Sequence, residues 1–531
     1  MHGKNIIGGT LSAQGTTTCQ SINPATGTTL PTRFFAATTE EVEQTMSLAA
    51  NAFITYKQTS QDQRADFLEA IAEELLVLGD ELVQQAAQES GLPQGRIEGE
   101  RGRTVNQLRL FATLLREGSW CEAVIETAQP ERTPVPKPDH RTMLRPLGPV
   151  VVFTASNFPL AFSTAGGDTA SALAAGNPVV VKAHEAHLGT NELVSTAIIN
   201  AAEKTNMPQG VFSSLNAQGY SVGEQLVKHP ETKAVTFTGS TRGGQALMKI
   251  ATERPVPIPV FAEMGSINPV LLLPEKLNLE VKEIAQTYAA SITLGAGQFC
   301  TNPGLLIGLD SMELDLFTSE LKEAIEDSTP QVMLTDGILK AYENGKETVL
   351  SSTGVSPIAS SQQELPKGAG QPAIAMISGE DFINNTLAQE EVFGAFSLVI
   401  KCKNRLELKL VLHALKGQLT GTIMGTNEDV KIFENEIDIL QEKVGRLIFN
   451  NVPTGVEVSH AMQHGGPFPA ASDSRFTSVG TAAIKRFVRP ICYQNCPESY
   501  LPEELKDANP LGIWRKVDGQ MSKVSIVELV G

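Results

Sequence analysis

Three short apolar segments, each separated from the next by a stretch of helical periodicity, constrain the fold of this chain more than any other feature. They are Gly148–Thr154 (GPVVVFT), Asn177–Lys182 (NPVVVK) and Lys233–Gly239 (KAVTFTG). A strand covered by helices on both faces is apolar along its whole length, whereas a half-exposed strand alternates. Residues Ser171–Gly176 and Gly189–Lys204 have helical periodicity and would supply crossovers. The pattern therefore predicts an α/β protein with a doubly wound, parallel nucleotide-binding sheet.

A second series of apolar segments predicts a second α/β domain that begins near Met264. Helical stretches separate these segments, as they do in the first series. The segments are Ile267–Pro274 (INPVLLLP), Gly304–Leu309 (GLLIGL), Phe396–Lys401 (FSLVIK), Gly421–Thr426 (GTIMGT) and Gly445–Asn451 (GRLIFNN). A chain of 531 residues exceeds what one hydrophobic core usually serves, which also favours two main domains.

Two further segments fall outside both predicted domains. Residues 122-147 contain two extended stretches around a polar, proline-bearing loop at Ala128–His140, which predicts a projecting β-hairpin. Residues 481-531 lack the periodicity to build a core, and we expect them to wrap or extend a neighbouring subunit. The predicted parts are a dinucleotide-binding domain (1-121 and 148-263), a catalytic domain (264-480), and an oligomerisation hairpin with a C-terminal arm (122-147 and 481-531).

Charge and apolar patterning limit the partners. A formal net charge of -17 would repel phosphate backbones and anionic lipid surfaces. No run approaches the roughly 18 apolar residues of a membrane span, and Met1–Gly15 lacks the basic and apolar regions of a signal peptide. The six cysteines are scattered, which favours reduced thiols over a disulfide framework. We therefore expect a cytoplasmic protein that binds neither nucleic acid nor membranes.

Two residues carry the first chemical hypothesis. Cys300 lies among small and polar residues in Ala296–Asn302 (AGQFCTN), which is unusual for a thiol that only fills a core. Upstream, Glu263 lies in an otherwise apolar strand-to-loop transition, Phe261–Pro269 (FAEMGSINP), where its pKa is expected to be raised and suited to base catalysis. Each residue alone is as readily structural. Beside a nucleotide fold, they predict a thiolate that attacks a carbonyl and a base that assists it.

Two loops offer the other parts that such an attack needs. Asn157, in Thr154–Pro159 (TASNFP), follows the first apolar strand at the edge where α/β sheets bind ligands. It is either the donor to an oxyanion or a turn residue. Phe237–Gly244 (FTGSTRGG) follows a strand and opens a helix, so its glycines and amides can face a pyrophosphate. This glycine spacing also occurs by chance in loops.

Pairs of histidines and cysteines have spacings that a metal could use. They are His184 with His187, His460 with His464, and Cys492 with Cys496. No pair has a clear third ligand nearby in the sequence, so we expect no metal site. His460 and His464 are expected either to line the substrate entrance or simply to pack, and the sequence does not choose between these alternatives.

The order of these motifs resembles that of the aldehyde dehydrogenase superfamily. The matching segments span nearly the whole chain and are SNFP, VVVKAHE, FTGST, EMGSINP, GQFCTNPG and EEVFG. The branch that the chain resembles most contains 2-oxoglutarate semialdehyde (2,5-dioxovalerate) and fatty aldehyde dehydrogenases. This likeness rests on GERGRTVNQLRLFA, KAH and HGGPFPAASDSRFTSVG. The resemblance implies NAD(P)-dependent oxidation of an aldehyde to a carboxylate through a cysteine thioester.

The resemblance also implies a role for each matching residue. Cys300 would be the nucleophile, Glu263 the base that activates water, and Asn157 with the Cys300 backbone N–H the oxyanion hole. The implied cofactor contacts are Lys182 with an adenosine ribose hydroxyl, Gly239 and Ser240 with the pyrophosphate, and Glu391 and Phe393 with the nicotinamide ribose and ring. The family further implies a homodimer or homotetramer built through the hairpin.

Cofactor choice is expected to depend on Glu185. This carboxylate, three residues after Lys182, can accept hydrogen bonds from both free ribose hydroxyls and would repel a 2′-phosphate. The resemblance implies a neutral residue at this position, and a basic one near Tyr220, in NADP-preferring relatives. We therefore expect NAD to be preferred over NADP, with dual use still possible.

The expected substrate is a short semialdehyde with its own carboxylate, such as 2,5-dioxovalerate. The segment after Asn157 (FPLAFSTAGGD) carries small residues where bulky aromatics would narrow an apolar tunnel. Arg109 and Arg475 are candidate partners of the carboxylate. The alternatives are a fatty or general aldehyde dehydrogenase, an acyl-transferring relative, and a catalytically silent structural or binding member. Glu263 argues against the acyl-transferring enzyme, and a silent member would be expected to lack Cys300 or Glu263.

Overall fold

The computed structural model describes residues 1–530, in which helices and short strands alternate. Its α-helices are α1 (Thr39–Tyr56), α2 (Gln61–Val77), α3 (Gly79–Ser90), α4 (Gln94–Glu117), α5 (Gly167–Ala175), α6 (Leu188–Lys204), α7 (Ser221–Lys228), α8 (Thr241–Thr252), α9 (Pro274–Thr293), α10 (Met312–Glu326), α11 (Asp336–Leu350), α12 (Gly379–Asn384), α13 (Arg405–Ala414), α14 (Asn427–Ile432), α15 (Glu434–Gln441) and α16 (Ile526–Val530).

The strands are short, and most of them belong to three sheets. They are β1 (Asn5–Ile7), β2 (Thr10–Ser12), β3 (Thr18–Cys19), β4 (Ile22–Asn23), β5 (Thr28–Thr29), β6 (Phe34–Phe35), β7 (Val124–Glu126), β8 (His140–Pro146), β9 (Val150–Phe153), β10 (Val179–Lys182), β11 (Phe212–Leu215), β12 (Ala234–Thr238), β13 (Val260–Glu263), β14 (Pro269–Leu272), β15 (Leu305–Leu309), β16 (Gln331–Val332), β17 (Ser356–Ser360), β18 (Ala369–Gly370), β19 (Ala373–Ser378), β20 (Phe396–Cys402), β21 (Gln418–Met424), β22 (Val444–Phe449), β23 (Val488–Gln494), β24 (Arg515–Val517) and β25 (Gln520–Ser522).

The first sheet has the strand order β13-β12-β9-β10-β11-β1-β2. Strands β9 to β13 run parallel, whereas β1 and β2 are added antiparallel at one edge. From β9 the chain adds β10 and β11 on one side, and then β12 and β13 on the other side. This change of direction creates a switch point, and sheets of this kind bind ligands in the crevice beside it. The three apolar segments form β9, β10 and β12, so the predicted doubly wound sheet is confirmed.

Alternate residues of these strands enter different cores, which explains their unbroken apolar sequence. Val150 and Val152 pack in the core that contains α2, α4 and α5. Val151, between them, packs in the core on the other face with Met46 of α1 and Leu226 of α7. Each fully buried side chain of this kind contributes roughly 1.5–3 kcal/mol. Both faces of the sheet are therefore covered by helices, as the apolar runs predict.

The second sheet has the order β17-β19-β20-β15-β14-β21-β22. Its strands are parallel except for β17, which pairs antiparallel with β19. The five apolar segments of the second series overlap β14, β15, β20, β21 and β22. The second α/β layer is therefore confirmed, while the limits of the domains stay a prediction.

The third sheet joins the predicted hairpin to the C-terminal segment, in the order β23-β8-β7-β24-β25. Strands β7 and β8 are antiparallel, which confirms the hairpin. β23 pairs with β8 and β24 pairs with β7. Leu505, Ile513 and Ile526 are buried in the same core as α2 and α4. The expectation that residues 481-531 cannot build a core is therefore wrong, because strand pairing gathers apolar residues that are too sparse to show a period.

The helix that follows β12 begins at a capped residue. The Oγ of Ser240 accepts a hydrogen bond from the N–H of Gly243 at 3.2 Å. Such a cap is worth about 1 kcal/mol and leaves other amides of the first turn of α8 free at the carboxyl edge of the sheet. No helix within residues 1–530 is long and apolar enough to span a membrane.

Candidate active site

Three side chains that are distant in sequence meet beside the carboxyl edge of the first sheet. Glu263 ends β13, Cys300 follows α9 after a short turn, and His464 lies between β22 and β23. The Nε2 atom of His464 is 3.4 Å from Sγ of Cys300 and 2.9 Å from Oε1 of Glu263. His464 and Glu263 are buried, and Cys300 is half-buried. A thiol, an imidazole and a carboxylate in contact can together form and stabilise a nucleophile.

A left-handed backbone segment directs the chain from α9 to Cys300. All three residues of Gly295–Gly297 have positive φ, between 57° and 69°, which ends the helix and reverses the chain. Any other residue at Gly297 would require the backbone to move, because its Cβ would lie 2.2 Å from the carbonyl carbon of Gly394. The close approach brings the EEVFG segment against the loop that carries the thiol.

Asn268 fixes the same loop from the other side, and the sequence analysis missed this residue. Its Nδ2 donates to the carbonyl oxygens of Cys300 and Asn302, both at 2.9 Å. Its Oδ1 accepts from Oγ1 of Thr420 at 3.0 Å. Asn268 is fully buried and has a φ of 43°, a conformation that asparagine tolerates better than most residues. The sequence does contain a sign of this role, because Asn268 is a polar residue between two apolar ones in the INP motif.

The pKa of Glu263 is set by two opposed effects. Burial raises this pKa, but the contact with His464 and hydrogen bonds from Ser478 and Cys300 outweigh burial and hold it below its ordinary value. The Oγ of Ser478 donates to Oε2 of Glu263 at 2.5 Å. The expected raised pKa is therefore wrong, because the apolar strand was visible in the sequence and the imidazole was not. Glu263 is a carboxylate at neutral pH and can accept a proton.

The pKa of the Cys300 thiol moves in the opposite direction. Burial raises it well above its ordinary value, and the carboxylates of Glu263 and Glu391 raise it further, while Arg103 acts in the opposite sense. The sulfur therefore carries its proton at neutral pH and must lose it to become nucleophilic. Glu263 and His464 are the groups placed to take that proton.

The imidazole of His464 is held by its backbone and by an aromatic neighbour. Its carbonyl oxygen accepts from the N–H of Ser478 at 2.8 Å, and its ring lies 6.1 Å from the ring of Phe162, between centroids. Nε2 is aligned with the sulfur of Cys300, whereas Glu263 lies at ion-pair distance without hydrogen-bond alignment. The sequence left open whether His464 lines the substrate entrance or simply packs, and the structure shows neither, because the buried imidazole contacts the thiol.

Asn157 lies one hydrogen bond from the loop that carries Cys300. Its Nδ2 donates to the carbonyl oxygen of Gln298 at 3.2 Å. Its own carbonyl oxygen accepts from Nη2 of Arg96, on α4, at 2.9 Å. Asn157 is buried and follows β9 at the switch point. The structure thus brings the predicted oxyanion donor to the thiol loop.

Glu391 and Phe393 line a cavity beside the same loop. Asn302, two residues after Cys300, donates to the carbonyl oxygen of Gly394 at 3.2 Å. Burial raises the pKa of Glu391 to about 7, against a hydrogen bond from the Ser266 N–H. The two residues predicted to hold the nicotinamide end therefore lie next to the predicted nucleophile.

The other predicted cofactor residues follow neighbouring strands of the first sheet. Lys182 ends β10, and Gly239 and Ser240 follow β12, where the Gly239 N–H donates to the backbone oxygen of Glu263 at 3.0 Å. Glu185 is exposed, and its Oε1 accepts from the N–H of Gly219 at 2.7 Å. Burial lowers the pKa of Lys182, against the neighbouring carboxylate of Glu185. These residues therefore lie along the carboxyl edge of the first sheet, and Gly239 contacts the backbone of Glu263 there.

The two histidine pairs differ in their contacts. His184 stacks on His187 with ring centroids 5.5 Å apart. His460 contacts Oγ1 of Thr481 at 3.1 Å, whereas His464 contacts the thiol. Around His464, donor atoms of the cysteine and the glutamate lie with the imidazole within 4.8 Å of one another, so the sequence argument that it lacks a third ligand fails. A structural zinc site takes four ligands, and the absence of a resident metal stays a prediction.

The two arginines expected to bind a substrate carboxylate lie elsewhere. Arg109 pairs with Glu73 at 2.5 Å, and Arg475 pairs with Asp473 at 2.5 Å. Both arginines are exposed side chains whose guanidinium groups already have a carboxylate. The expectation for Arg109 and Arg475 is therefore not supported, because sequence position does not reveal which arginines point inward.

Comparisons with known proteins bear on this arrangement. The model of the aldehyde dehydrogenase family matches residues 11–337. An alpha-ketoglutaric semialdehyde dehydrogenase 2 of Azospirillum brasilense is 48% identical over 98% of this chain and 99% of its own length. The alpha-ketoglutaric semialdehyde dehydrogenase of Acinetobacter baylyi is 47% identical, again over 98% and 99%. A Thermus 1-pyrroline-5-carboxylate dehydrogenase crystallised with NAD has the same fold, with a TM-score of 0.78 at 21% identity over 93% of this chain and 92% of its own.

Proposed function

This chain belongs to the aldehyde dehydrogenase family, and from that premise we propose that it oxidises 2,5-dioxovalerate to 2-oxoglutarate at Cys300. The observation that carries the proposal is the contact of Cys300, His464 and Glu263 at the carboxyl edge of a nucleotide-binding sheet. The near full-length similarity to two alpha-ketoglutaric semialdehyde dehydrogenases supports the substrate.

The first step is activation of the thiol. The proton of Cys300 passes to Nε2 of His464, 3.4 Å away, and the resulting imidazolium is stabilised by the Glu263 carboxylate at 2.9 Å. Without this pair the thiol would stay protonated, since burial raises its pKa. A neighbouring base that is itself oriented by a carboxylate is a general device for activating a nucleophile.

Attack on the aldehyde forms a carbon–sulfur bond and leaves negative charge on the former carbonyl oxygen. Nδ2 of Asn157 and the backbone N–H of Cys300 are the donors that we assign to this oxyanion. A nicotinamide dinucleotide held along this edge would supply the two-electron acceptor for the hydride of the adduct. When the carbonyl reforms, Cys300 carries the acyl group as a thioester.

Hydrolysis restores the enzyme. Glu263 accepts a proton from water as the water oxygen bonds to the acyl carbon, the carbon–sulfur bond breaks, and the thiolate regains its proton from His464. The balance is aldehyde, oxidised cofactor and water to carboxylate, reduced cofactor and two protons. A positioned general base of this kind contributes about 10²- to 10⁴-fold.

The edge of the first sheet has the features that a dinucleotide requires. Amides at the N-terminus of α8 face the edge, and a Cβ at Gly239 would lie 2.6 Å from the ring of Phe237, so a side chain there would displace that ring. We assign the pyrophosphate to Gly239 and Ser240, the nicotinamide end to Glu391 and Phe393, and the adenosine ribose to Lys182 and Glu185. Because Glu185 is exposed and carries negative charge toward the ribose, NAD is the proposed preference over NADP.

We also propose a cytoplasmic homodimer or homotetramer. Trp514, Met521 and Val524 are exposed on or beside the β24–β25 edge of the third sheet, where a second copy of the chain can cover them. The cytoplasm keeps thiols reduced, as the reaction of Cys300 requires. Light scattering coupled to gel filtration measures the assembly, and a monomeric mass would contradict it.

The test of the proposed function is reduced-cofactor absorbance with 2,5-dioxovalerate, pentanal and hexanal, each with NAD and with NADP. We expect the largest kcat/KM for 2,5-dioxovalerate, the product 2-oxoglutarate, and no turnover by Cys300→Ala. Much better turnover of hexanal would favour the fatty aldehyde alternative. Absence of turnover with every aldehyde would favour a silent member of the family.

A further inference from the structure

Helix α4 turns one face toward the predicted active site. Arg96, Glu100 and Arg103 are spaced four and three residues apart, so they share this face. Nη2 of Arg96 donates to the backbone oxygen of Asn157, and Oε1 of Glu100 accepts from the N–H of Leu160 at 2.8 Å. This face therefore holds the segment that carries the oxyanion donor, and Arg103 extends it by one turn.

Arg103 has hydrogen-bond donors that nothing in the structure uses. Its Nε and Nη2 atoms are buried and have no partner, and among the described residues no carboxylate lies within 4.0 Å of its guanidinium. Buried donors without acceptors are exceptional in folded proteins and costly to keep. A charged group left in this state indicates a position that a ligand anion completes.

The two unused nitrogens are the pair with which arginine binds a carboxylate side-on. In this protein Arg405 holds Glu436 through Nε and Nη2 at 2.9 and 2.8 Å. Arg141 holds Asp139 through the same two atoms at 2.9 and 3.1 Å. We call this pair of nitrogens, Nε and Nη2, the fork. The fork of Arg103 pairs with no carboxylate of residues 1–530, and such a pair binds planar anions through two parallel hydrogen bonds.

The fork lies close to the reacting thiol. The guanidinium of Arg103 stacks over Phe162 at 4.9 Å and lies 6.0 Å from the ring of Phe158. The ring of Phe162 in turn lies 6.1 Å from that of His464, which contacts Cys300. The charge of Arg103 lowers the pKa of the Cys300 thiol, against the effect of burial. One aromatic side chain thus separates the arginine from the catalytic contact.

Other arginines near the site are already occupied. Nη2 of Arg96 donates to Asn157, and Nη1 and Nη2 of Arg446 donate to backbone oxygens of Gly455 and Pro453. Arg486 pairs with a carboxylate, Asp168, at 2.7 Å. Each of these side chains has a structural partner for at least one of its terminal nitrogens, whereas the side-on pair of Arg103 has none.

We propose that Arg103 binds the distal carboxylate of the aldehyde substrate through Nε and Nη2, and so makes the enzyme specific for short aldehydes that end in a carboxylate. The inference rests on the proposed function and names the group that recognises its substrate class. Four bonds separate the aldehyde and carboxylate carbons of 2,5-dioxovalerate, a span of about 5 Å. The ring of Phe162 lies between Arg103 and the catalytic contact, 4.9 Å from the guanidinium and 6.1 Å from the ring of His464, so this span can join the two once the bond to Sγ and the hydrogen bonds at the fork are added.

Three nearby carboxylates could compete for Arg103, because Glu100, Glu263 and Glu457 all favour the charged guanidinium. Oε1 of Glu100 accepts from the N–H groups of Leu160 and Ala161, and its buried Oε2 has no partner but does not come within 4.0 Å of the guanidinium. Burial also raises the pKa of Glu100, which disfavours its anionic form. Glu263 contacts His464 and Ser478 instead, and Glu457 is exposed. None of the three acids pairs with the fork.

The test compares Arg103→Met with the parent on two substrates of equal chain length, 5-oxopentanoate and pentanal. The variant should lose roughly 30- to 1,000-fold in kcat/KM for 5-oxopentanoate, the range for truncating one partner of a buried charge pair. The loss should appear mainly in KM, because the carboxylate takes no part in the chemistry. Turnover of pentanal should fall much less, because pentanal loses only the effect of this charge on the pKa of the Cys300 thiol. Arg109→Met, an exposed arginine on the same helix, is the matched control and should change neither substrate.

Equal losses with both substrates would overturn the proposal and assign Arg103 a structural role. Unchanged 5-oxopentanoate turnover would overturn it as well. If Arg103→Met is not recovered folded, Arg103→Lys retains the charge without the fork and should lose at least tenfold on 5-oxopentanoate alone. The substrate assignment fails separately, if the parent enzyme itself prefers pentanal to 5-oxopentanoate and 2,5-dioxovalerate.

Discussion

Replacement of His464 by glutamine tests the catalytic contact most directly. Glutamine keeps a polar side chain and can still donate to Glu263, but it cannot carry the proton of the thiol. The buried Glu263 would lose the imidazole that lies 2.9 Å from its Oε1. The contact with His464 is the largest of the effects that lower the pKa of Glu263. The pKa of Glu263 should therefore rise in the variant.

The direction of the pH effect follows from the role of Glu263. As a base, this residue works in its deprotonated form, so a higher pKa moves the acid limb of the kcat profile to higher pH. The rate of thiol activation should fall independently, by about 10²- to 10⁴-fold, because the base aligned with Sγ of Cys300 is gone.

The assay is a stopped-flow burst of reduced cofactor with a saturating aldehyde, together with kcat from pH 5 to 9. His460→Gln is the matched control, because His460 is exposed and contacts Thr481 rather than the thiol. A parent-like burst rate and an unmoved acid limb in His464→Gln would refute the assigned role. Equal losses in both histidine variants would show that the segment, rather than the imidazole, matters.

Four further outcomes are expected. Cys300→Ala should abolish oxidation while the Kd for NAD, measured by fluorescence, stays within a few-fold, and near-normal turnover would exclude Cys300 as the nucleophile. Glu263→Gln should give a burst approaching one reduced cofactor per site and then turnover slowed by about 10²- to 10⁴-fold, with an acyl adduct in the intact mass; parent turnover without adduct would remove Glu263 from the mechanism. Burial raises the pKa of Glu391 to about 7, so its carboxylate forms as pH rises through 7 and the KM for NAD should fall over that interval, a trend that Glu391→Gln should flatten. Glu185→Gln should raise kcat/KM for NADP relative to NAD several-fold, because it removes a negative charge facing the 2′-phosphate, and an unchanged ratio would contradict the proposed preference.

The sequence alone was enough to predict the class of fold. Val150–Val152 and Val179–Val181 are apolar without interruption, and such a run is explained by a strand whose two faces are buried in different cores. The order of motifs around Asn157, Glu263 and Cys300 predicts the three residues that the structure places at or beside one loop. These features depend on neighbours in the chain, so they can be recognised without knowing the fold.

The electrostatics of the site depended on the tertiary structure. Cys300 and His464 are separated by 164 residues, and no periodicity or motif spacing reveals that contact. The pKa of Glu263 was expected to be raised and is lowered, because the imidazole that the fold brings to it outweighs burial. Interactions between charges act over a few ångströms of space rather than along the chain.

The same distinction separates the arginines. Arg103 and Arg109 lie six residues apart on α4, and both are plausible carboxylate partners by residue type. A rotation of about 100° per residue turns Arg109 to solvent and to Glu73, while Arg103 stacks on Phe162 with its fork buried. The sequence alone therefore determined that α4 carries both arginines, whereas the packing of α4 against α2 and α5 decided which of them lies toward the thiol.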